Sequence, residues 1–262
     1  MSGPAGYNYR GLKATTWDLF LKQAAYWEDT LFFREMMVRY GQPALEVGCG
    51  TGRLMLSYLA DGFAVDGVDN SPEMLAICRR KAERSGLRPA LYRQSMTELD
   101  LPRCYRTIFV PAGSLQLVTE PALAHQAMRC FLAHLEPGGA LVMRFMVLWQ
   151  PGDPVQTDWR LLAEGTRPED GTLVRWWSRA NYDLEAQLKH TEDNYEVLRQ
   201  GEVVEAENYT DSPEACWYTR EQAVELYRAA GFEQIQVLDE PGASSDGSQE
   251  SRHFAVSGVK KQ

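Results

Sequence analysis

Between Pro43 and Met146, short apolar runs alternate with stretches whose apolar residues recur every three or four positions. That alternation predicts β-α units feeding a parallel sheet. Residues 44–47 read as a first strand stopped by Gly48, and a helix follows from Gly52 or Arg53 to about Ala60. Residues 63–68 read as the second strand. The next helix has a legible start, with Ser71 as N-cap, Pro72 at the first helical position and Glu73 near the positive end of the dipole. Met74, Cys78 and Ala82 then repeat at i+4 until Gly86 ends it. Residues 89–93 and 107–110 predict a third and a fourth strand. Leu123, Ala127, Phe131 and Leu135 line one face of a further helix, Pro137-Gly-Gly139 stops it, and residues 140–145 predict a fifth strand.

Two segments leave this alternation. Residues 1–42 form an aromatic-rich helical lead-in with Trp17, Phe20, Tyr26, Trp27, Phe32 and Phe33. Residues 147–215 predict a β layer, with strands at 173–182, 187–198 and 202–209 at hairpin spacing. From 216 the core resumes. Thr219-x-x-Gln222 is a capping box, its helix runs to Ala230 with Gly231 just beyond, and residues 234–238 and 253–259 supply two last strands. Between them, residues 241–249 read as a polar loop. The expected fold is α/β: a doubly wound, Rossmann-like seven-stranded sheet (43–146 and 216–262), a helical lid (1–42) and a small antiparallel β insertion (147–215).

Composition narrows the function classes. With 27 basic and 36 acidic residues in 262, the net charge is −9, a poor match to a phosphate backbone, so nucleic acid is disfavoured as a partner. No apolar run is long enough for a membrane span, and the first ten residues lack the apolar region of a signal peptide. Five scattered cysteines without a C-x-x-C pair read as thiols in a reducing compartment, hence a cytoplasmic protein without a metal site.

The chemistry concentrates in Leu45-Glu-Val-Gly-Cys-Gly-Thr-Gly52, between a strand and a helix. Glycines there let the backbone turn and a ligand approach closely. No Lys-Ser/Thr follows them, which disfavours a P-loop. Two acids flank the turn. Asp69, ending the second strand, is placed to accept ribose hydroxyls. Glu46, inside the motif, would repel a pyrophosphate in a low-dielectric cleft and suits a ligand with a positive end. A nucleoside whose tail carries an ammonium and a sulfonium is S-adenosyl-L-methionine.

The string Glu-Val-Gly-Cys-Gly-Thr-Gly, then Val-Asp-Gly-Val-Asp-Asn-Ser-Pro-Glu-Met-Leu, then Leu-Glu-Pro-Gly-Gly, resembles the class I S-adenosylmethionine-dependent methyltransferases. The whole layout is similar to the aminosugar N,N-dimethyltransferases. The resemblance implies that Gly48, Cys49, Gly50, Thr51 and Gly52 hold the methionine tail, with Glu46 on its ammonium. Asp69 and Asn70 would take the ribose, Met74 an adenine face, and Ser95 and Met96 the adenine edge, where relatives often place an acid before the second. Pro111 and Ala112 would pass the reactive methyl, and Tyr26 would close over the cofactor. Some relatives carry a histidine at the position matching Gln116, and a glutamine cannot act as a base at neutral pH.

Other candidates have two readings each. Gln116 and His190 are candidates for a catalytic role, His190 being the histidine to test as a base. Arg144 could pair with an acidic substrate or with an acid of the fold. Trp149, Tyr209 and Trp217 could wall an acceptor pocket, pack between sheets, or form a homodimer face through the β insertion. The function expected is methyl transfer to a small-molecule nitrogen or oxygen, with carbon an open possibility, by in-line displacement that rests on proximity and orientation. The alternatives are a regulatory protein that binds the cofactor without turnover, an aminopropyl transferase, and an RNA-modifying enzyme.

Overall fold

A computed structural model describes residues 9–21, 28–238 and 252–262. Three helices lead in: α1 (Gly11–Thr15), α2 (Trp17–Leu21) and α3 (Glu28–Tyr40). The alternating part follows as β1 (Ala44–Val47), α4 (Arg53–Ala60), β2 (Val65–Asp69), α5 (Pro72–Arg84), β3 (Leu91–Arg93), β4 (Tyr105–Val110), α6 (Pro121–Ala133) and β5 (Leu135–Met146). Then come four long strands, β6 (Arg160–Thr166), β7 (Leu173–Asp183), β8 (Leu188–Arg199) and β9 (Glu202–Cys216). The chain returns through α7 (Arg220–Ala230), β10 (Glu233–Leu238) and β11 (His253–Val259).

Seven strands form one sheet in the order β10-β11-β5-β4-β1-β2-β3. The pairs β1–β2, β1–β4, β2–β3 and β4–β5 are parallel, whereas β11 runs antiparallel to both β5 and β10. Period-two alternation explains why both faces are covered. Leu45, Val47, Ile108, Val110, Leu141 and Met143 point to one face, where they pack with Met128 and Phe131 of α6 and Leu226 and Tyr227 of α7. Their neighbours Ala44, Phe109 and Val142 point to the other, against Phe33 and Met37 of α3, Met55 and Tyr58 of α4 and Cys78 of α5. The sheet is doubly wound. Where β4 and β2 flank β1, the strand order reverses, and the C-terminal ends of those strands open a crevice there.

The second sheet is antiparallel, in the order β6-β7-β8-β9. Its inner face packs Val174, Tyr195, Val197 and Tyr209 against Leu12 of α1 and Phe20 of α2. Trp176 stacks on Tyr195 with centroids 5.6 Å apart and planes 9° from parallel. The two short helices are also tied by polar contacts. The Gly11 N–H donates to Glu73 of α5 at 2.5 Å, and the Leu12 N–H donates to Glu207 of β9 at 2.7 Å.

Three strands differ from the sequence reading, each for a physical reason. Leu135 belongs to β5 and not to α6, because the 135–139 segment adds a bulge to the ladder with β4. A Cβ at Gly139 there would meet three backbone carbonyls at 2.9–3.0 Å, so the strand tolerates no side chain at that point. β9 continues past Tyr209 to Cys216, and the register slip between Lys189 and Thr191 lets it carry Pro213 without a ladder donor. β6 escapes the pattern because most of its positions, Leu161 and Leu162 among them, are exposed. The 241–249 loop and Tyr26 lie outside the described residues. Among those described, no helix is long and apolar enough to cross a membrane.

Candidate active site

The glycine turn lies at the tip of β1. Gly50 has φ +53°, and a Cβ there would meet nothing nearer than the Met74 methyl at 3.9 Å, so the missing side chain leaves open space. Gly52, with φ +80°, caps α4 where a Cβ would fall 2.5 Å from Cys78 Sγ. Asp69 closes the turn from the tip of β2. Its Oδ2 accepts from the Gly50 N–H at 2.8 Å, and its Oδ1 accepts from the Ser71 N–H at 2.8 Å. Burial raises the Asp69 carboxyl above its ordinary range, against the downward pull of those N–H donors.

Glu46 is a buried carboxyl beside the turn. It is 2% exposed, and its Oε2 is buried without a hydrogen-bond partner. Burial pushes its carboxyl up to about 8, only partly offset by the Arg53 charge and the Met55 N–H. A buried oxygen of this kind costs about 1–3 kcal/mol unless something pairs with it. The turn beside it therefore fits a ligand that brings a cation, as the ammonium of S-adenosylmethionine would.

A cavity of about 690 Å³ runs from this turn across the molecule, within the usual range of about 300–1,000 Å³ for small-molecule sites. Glu46, Gly48, Cys49, Gly50, Thr51, Asp69, Asn70, Met74, Ser95, Met96, Pro111 and Ala112 line it, as does Gln116. Gly52 stands behind the turn, against Cys78 and Leu56. Burial drives the Cys49 thiol far up, so it is a neutral, unreactive wall group. Ala112 takes a left-handed conformation, φ +52°, at the crest of the loop after β4. For a residue with a Cβ this strain, of order 1–3 kcal/mol, is typical of ligand-facing loops.

The remaining candidates lie off the cavity. Arg144, on β5, is buried in an ion pair with Asp29 of α3, itself also paired with Arg53, so it braces the fold. His190 hydrogen-bonds Ser212 on β9 at 2.8 Å, and this contact is exposed. Tyr209 is buried against α1, where its hydroxyl donates to the Arg10 carbonyl at 2.9 Å. Trp217 packs edge-on to Tyr182, and Trp149 donates to the Asp153 carbonyl at 3.2 Å. Gln116 lines the cavity with a fully engaged carboxamide: it donates to the Met146 and Cys216 carbonyls and accepts from the Met146 N–H.

Further lining residues come from outside the glycine-turn region, and of these Leu21, Leu148, Lys189 and Glu214 carry no local sequence signal. Trp17, Phe20 and Leu21 arrive from α2, Leu148 from beyond β5, and Trp176, Lys189 and Glu214 from the antiparallel sheet. Behind that wall Lys13 of α1 is nearly inaccessible, with its Nζ 2.8 Å from Asp211, 3.6 Å from Glu214 and 3.7 Å from Asp193. Those three carboxylates converge closely enough to suit a metal ion, but the Lys13 ammonium already stands among them. Burial pulls Lys13 downward and the surrounding negative groups, Glu214 first, overcome it, so the amine stays charged.

Known proteins resemble this chain in sequence and in fold. Residues 44–139 match the methyltransferase domain family. A Streptomyces fradiae protein, dTDP-3-amino-3,6-dideoxy-alpha-D-glucopyranose N,N-dimethyltransferase, is 29% identical over 77% of this chain and 72% of its own length. A protein of Geobacillus sp. (strain WCH70) named a methyltransferase is 32% identical over 45% of this chain, and the chain spans about half (54%) of its length. In fold, the sugar N-methyltransferase of Streptoalloteichus sp. superposes with TM-score 0.74 at 22% identity, covering 100% of this chain and 99% of that one. The S-adenosylmethionine-bound amino pentose methyltransferase of Micromonospora echinaspora gives 0.68 at 19%, covering 98% and 100%. Residues 44–139 thus match a methyltransferase domain, set within a chain whose fold is shared with solved methyltransferases.

Proposed function

We propose that this chain transfers the methyl group of S-adenosylmethionine to an amine nitrogen of a small molecule of the aminosugar type. The observation that carries the reading is one continuous cavity, lined by Glu46, whose Oε2 is buried without a hydrogen-bond partner, and by the aromatic side chains Trp17 and Phe20 of α2 and Trp176 of the antiparallel sheet. The Streptomyces fradiae relative, matched along most of both chains, supports the choice of nitrogen.

When bound, the cofactor supplies an electrophilic methyl group on a sulfonium. In this reading Glu46 holds the ammonium, Asp69 and Asn70 the ribose, and Met74, Ser95 and Met96 the adenine. Pro111 and Ala112 border the path to the acceptor. Trp17, Phe20 and Trp176 exclude water around the reacting atoms. Alignment of that kind supplies up to about 7–11 kcal/mol in model systems. Gln116, with its amide hydrogens committed to two carbonyls, acts by position and not as a base. His190, directed to Ser212, also stands outside the chemistry.

A cytoplasmic setting is supported by five free cysteines, and a small-molecule acceptor in preference to nucleic acid by the net charge of −9. Leu161, Leu162, Val203 and Val204, exposed on the outer strands of the antiparallel sheet, support a homodimer through that layer. The test of function is direct. The protein is incubated with S-adenosylmethionine and a panel of amino-deoxysugar nucleotides, bulk transfer RNA serving as the comparison, and S-adenosylhomocysteine is measured. Turnover confined to the amines supports the reading; turnover on RNA alone, or on none of them, overturns it.

A further inference from the structure

Residues 147–215 leave the core after Met146, the last residue of β5, and rejoin it after Cys216, the last residue of β9. Both junctions end on one side chain. Gln116 Nε2 donates to the Met146 carbonyl and to the Cys216 carbonyl, each at 2.9 Å, and Gln116 Oε1 accepts from the Met146 N–H at 2.7 Å. The residue is 1% exposed, on the short turn Ser114–Leu117 in the cavity wall. Space has been cleared for it: Gly113 has φ +68°, and a Cβ there would fall 2.6 Å from Gln116 Oε1.

The chemistry of that pocket selects a carboxamide. Two carbonyls need two N–H donors on one atom, and the adjacent N–H needs an acceptor on the same planar group. A glutamate offers acceptors alone and would face the two carbonyls with negative charge. An asparagine is one methylene too short.

We infer that Gln116 is a positioning residue that fixes the antiparallel sheet over the acceptor end of the cavity by pinning both of its junctions. The sheet contributes Trp176, Lys189 and Glu214 to the wall, whereas the glycine turn stands on β1. Losing the pin therefore moves the acceptor wall and leaves the cofactor turn in place. The kinetic part of this inference rests on the methyl-transfer reading above; the structural part does not.

The experiment compares the full chain with Gln116→Glu and Gln116→Ala, and with Gln116→Asn as a milder variant should the first two not fold. Three quantities are measured: amide exchange at Met146 and across 187–217, S-adenosylhomocysteine affinity by calorimetry, and kcat and KM on the dTDP-linked 3-amino-3,6-dideoxyglucose probe. Expected are exchange at Met146 at least about tenfold faster and cofactor affinity within about twofold. A kcat loss of about 10–100-fold is expected as well, the scale on which misplacement of a reacting group acts. Unchanged Met146 exchange, or unchanged kcat and KM, overturns the inference, as does a loss confined to cofactor affinity. If the parent protein does not methylate the probe, the methyl-transfer reading is what fails, and the exchange data still decide whether Gln116 pins the sheet.

Discussion

The Thr51 hydroxyl of the glycine turn donates to the Asp18 carboxylate of α2 at 2.6 Å. Lys81 of α5 joins the pair, with its Nζ 2.9 Å from Asp18 and 3.3 Å from Thr51. Three elements distant in sequence thus meet over the same ligand-facing bend. Asp18→Ala unties α2 from that bend. The groups are partly exposed, so the contact contributes about 1 kcal/mol, equivalent to roughly a fivefold change in an equilibrium constant. Cofactor dissociation measured by stopped flow should quicken by about that factor. An unchanged dissociation rate would remove α2 from any role in cofactor retention.

Glu46 makes cofactor binding pH-dependent with a definite sign. In the ligand-free chain its carboxyl is pushed up to about 8 by burial, so it is largely protonated at pH 7. Pairing with an ammonium requires the ionised form, so binding at pH 7 releases a proton. Affinity should strengthen as pH rises toward 8, by up to about tenfold per unit. Calorimetry in buffers of different ionisation enthalpy reads the released proton directly. Glu46→Gln should abolish both the release and the slope. The same shift acts on stability in the opposite direction: the folded chain holds this proton more tightly, so its contribution to stability declines as pH rises from about 4.5 to 8.

Asp69 holds the turn through both of its oxygens and, in the proposed reading, also takes the ribose. Asp69→Ala removes the acceptor for the Gly50 and Ser71 N–H groups together with the proposed ribose contact. Hydrogen bonds to charged groups contribute about 1.5–3 kcal/mol each, so S-adenosylhomocysteine affinity should fall by at least about tenfold. Asp69→Asn keeps an acceptor for one of the two N–H groups and turns its amide nitrogen toward the other, so it should lower the melting temperature as well as lose affinity. Equal affinity in the alanine variant and the parent would displace the ribose from this site.

Gly52→Ala tests the turn itself. The substitution puts a Cβ at φ +80° and 2.5 Å from Cys78 Sγ. Left-handed backbone costs about 1–2 kcal/mol for a residue with a Cβ, and overpacking adds about 1–3 kcal/mol. Thermal denaturation should show a drop of several degrees. A melting temperature equal to that of the parent would mean that the turn relaxes freely around a methyl group.

How much of this was legible in the sequence depends on how local each signal is. The turn at 48–52 and the acids Glu46 and Asp69 announce themselves because strand, glycines and helix cap lie within a few residues of one another. Ser71 and Thr219 are visible as caps for the same reason, and both accept from the expected N–H groups. Arg144 is different: Asp29 is its partner, and only the packing of α3 against β5 brings them together. The antiparallel orientation of β11 was likewise unreadable, since an apolar strand looks alike in either direction. Tyr209 and Trp217 looked like pocket walls because an aromatic residue marks burial without saying what it is buried against.

The position of β11 between β5 and β10 bears on how the protein is made. Its pairing partner β5 ends about a hundred residues earlier in the chain. While the ribosome is still producing the intervening segment, β5 presents an unpaired apolar edge, a feature that invites association with other nascent chains. The seven-stranded sheet thus stays open on one flank until residues 253–259 have emerged, and premature termination before His253 would leave that flank exposed.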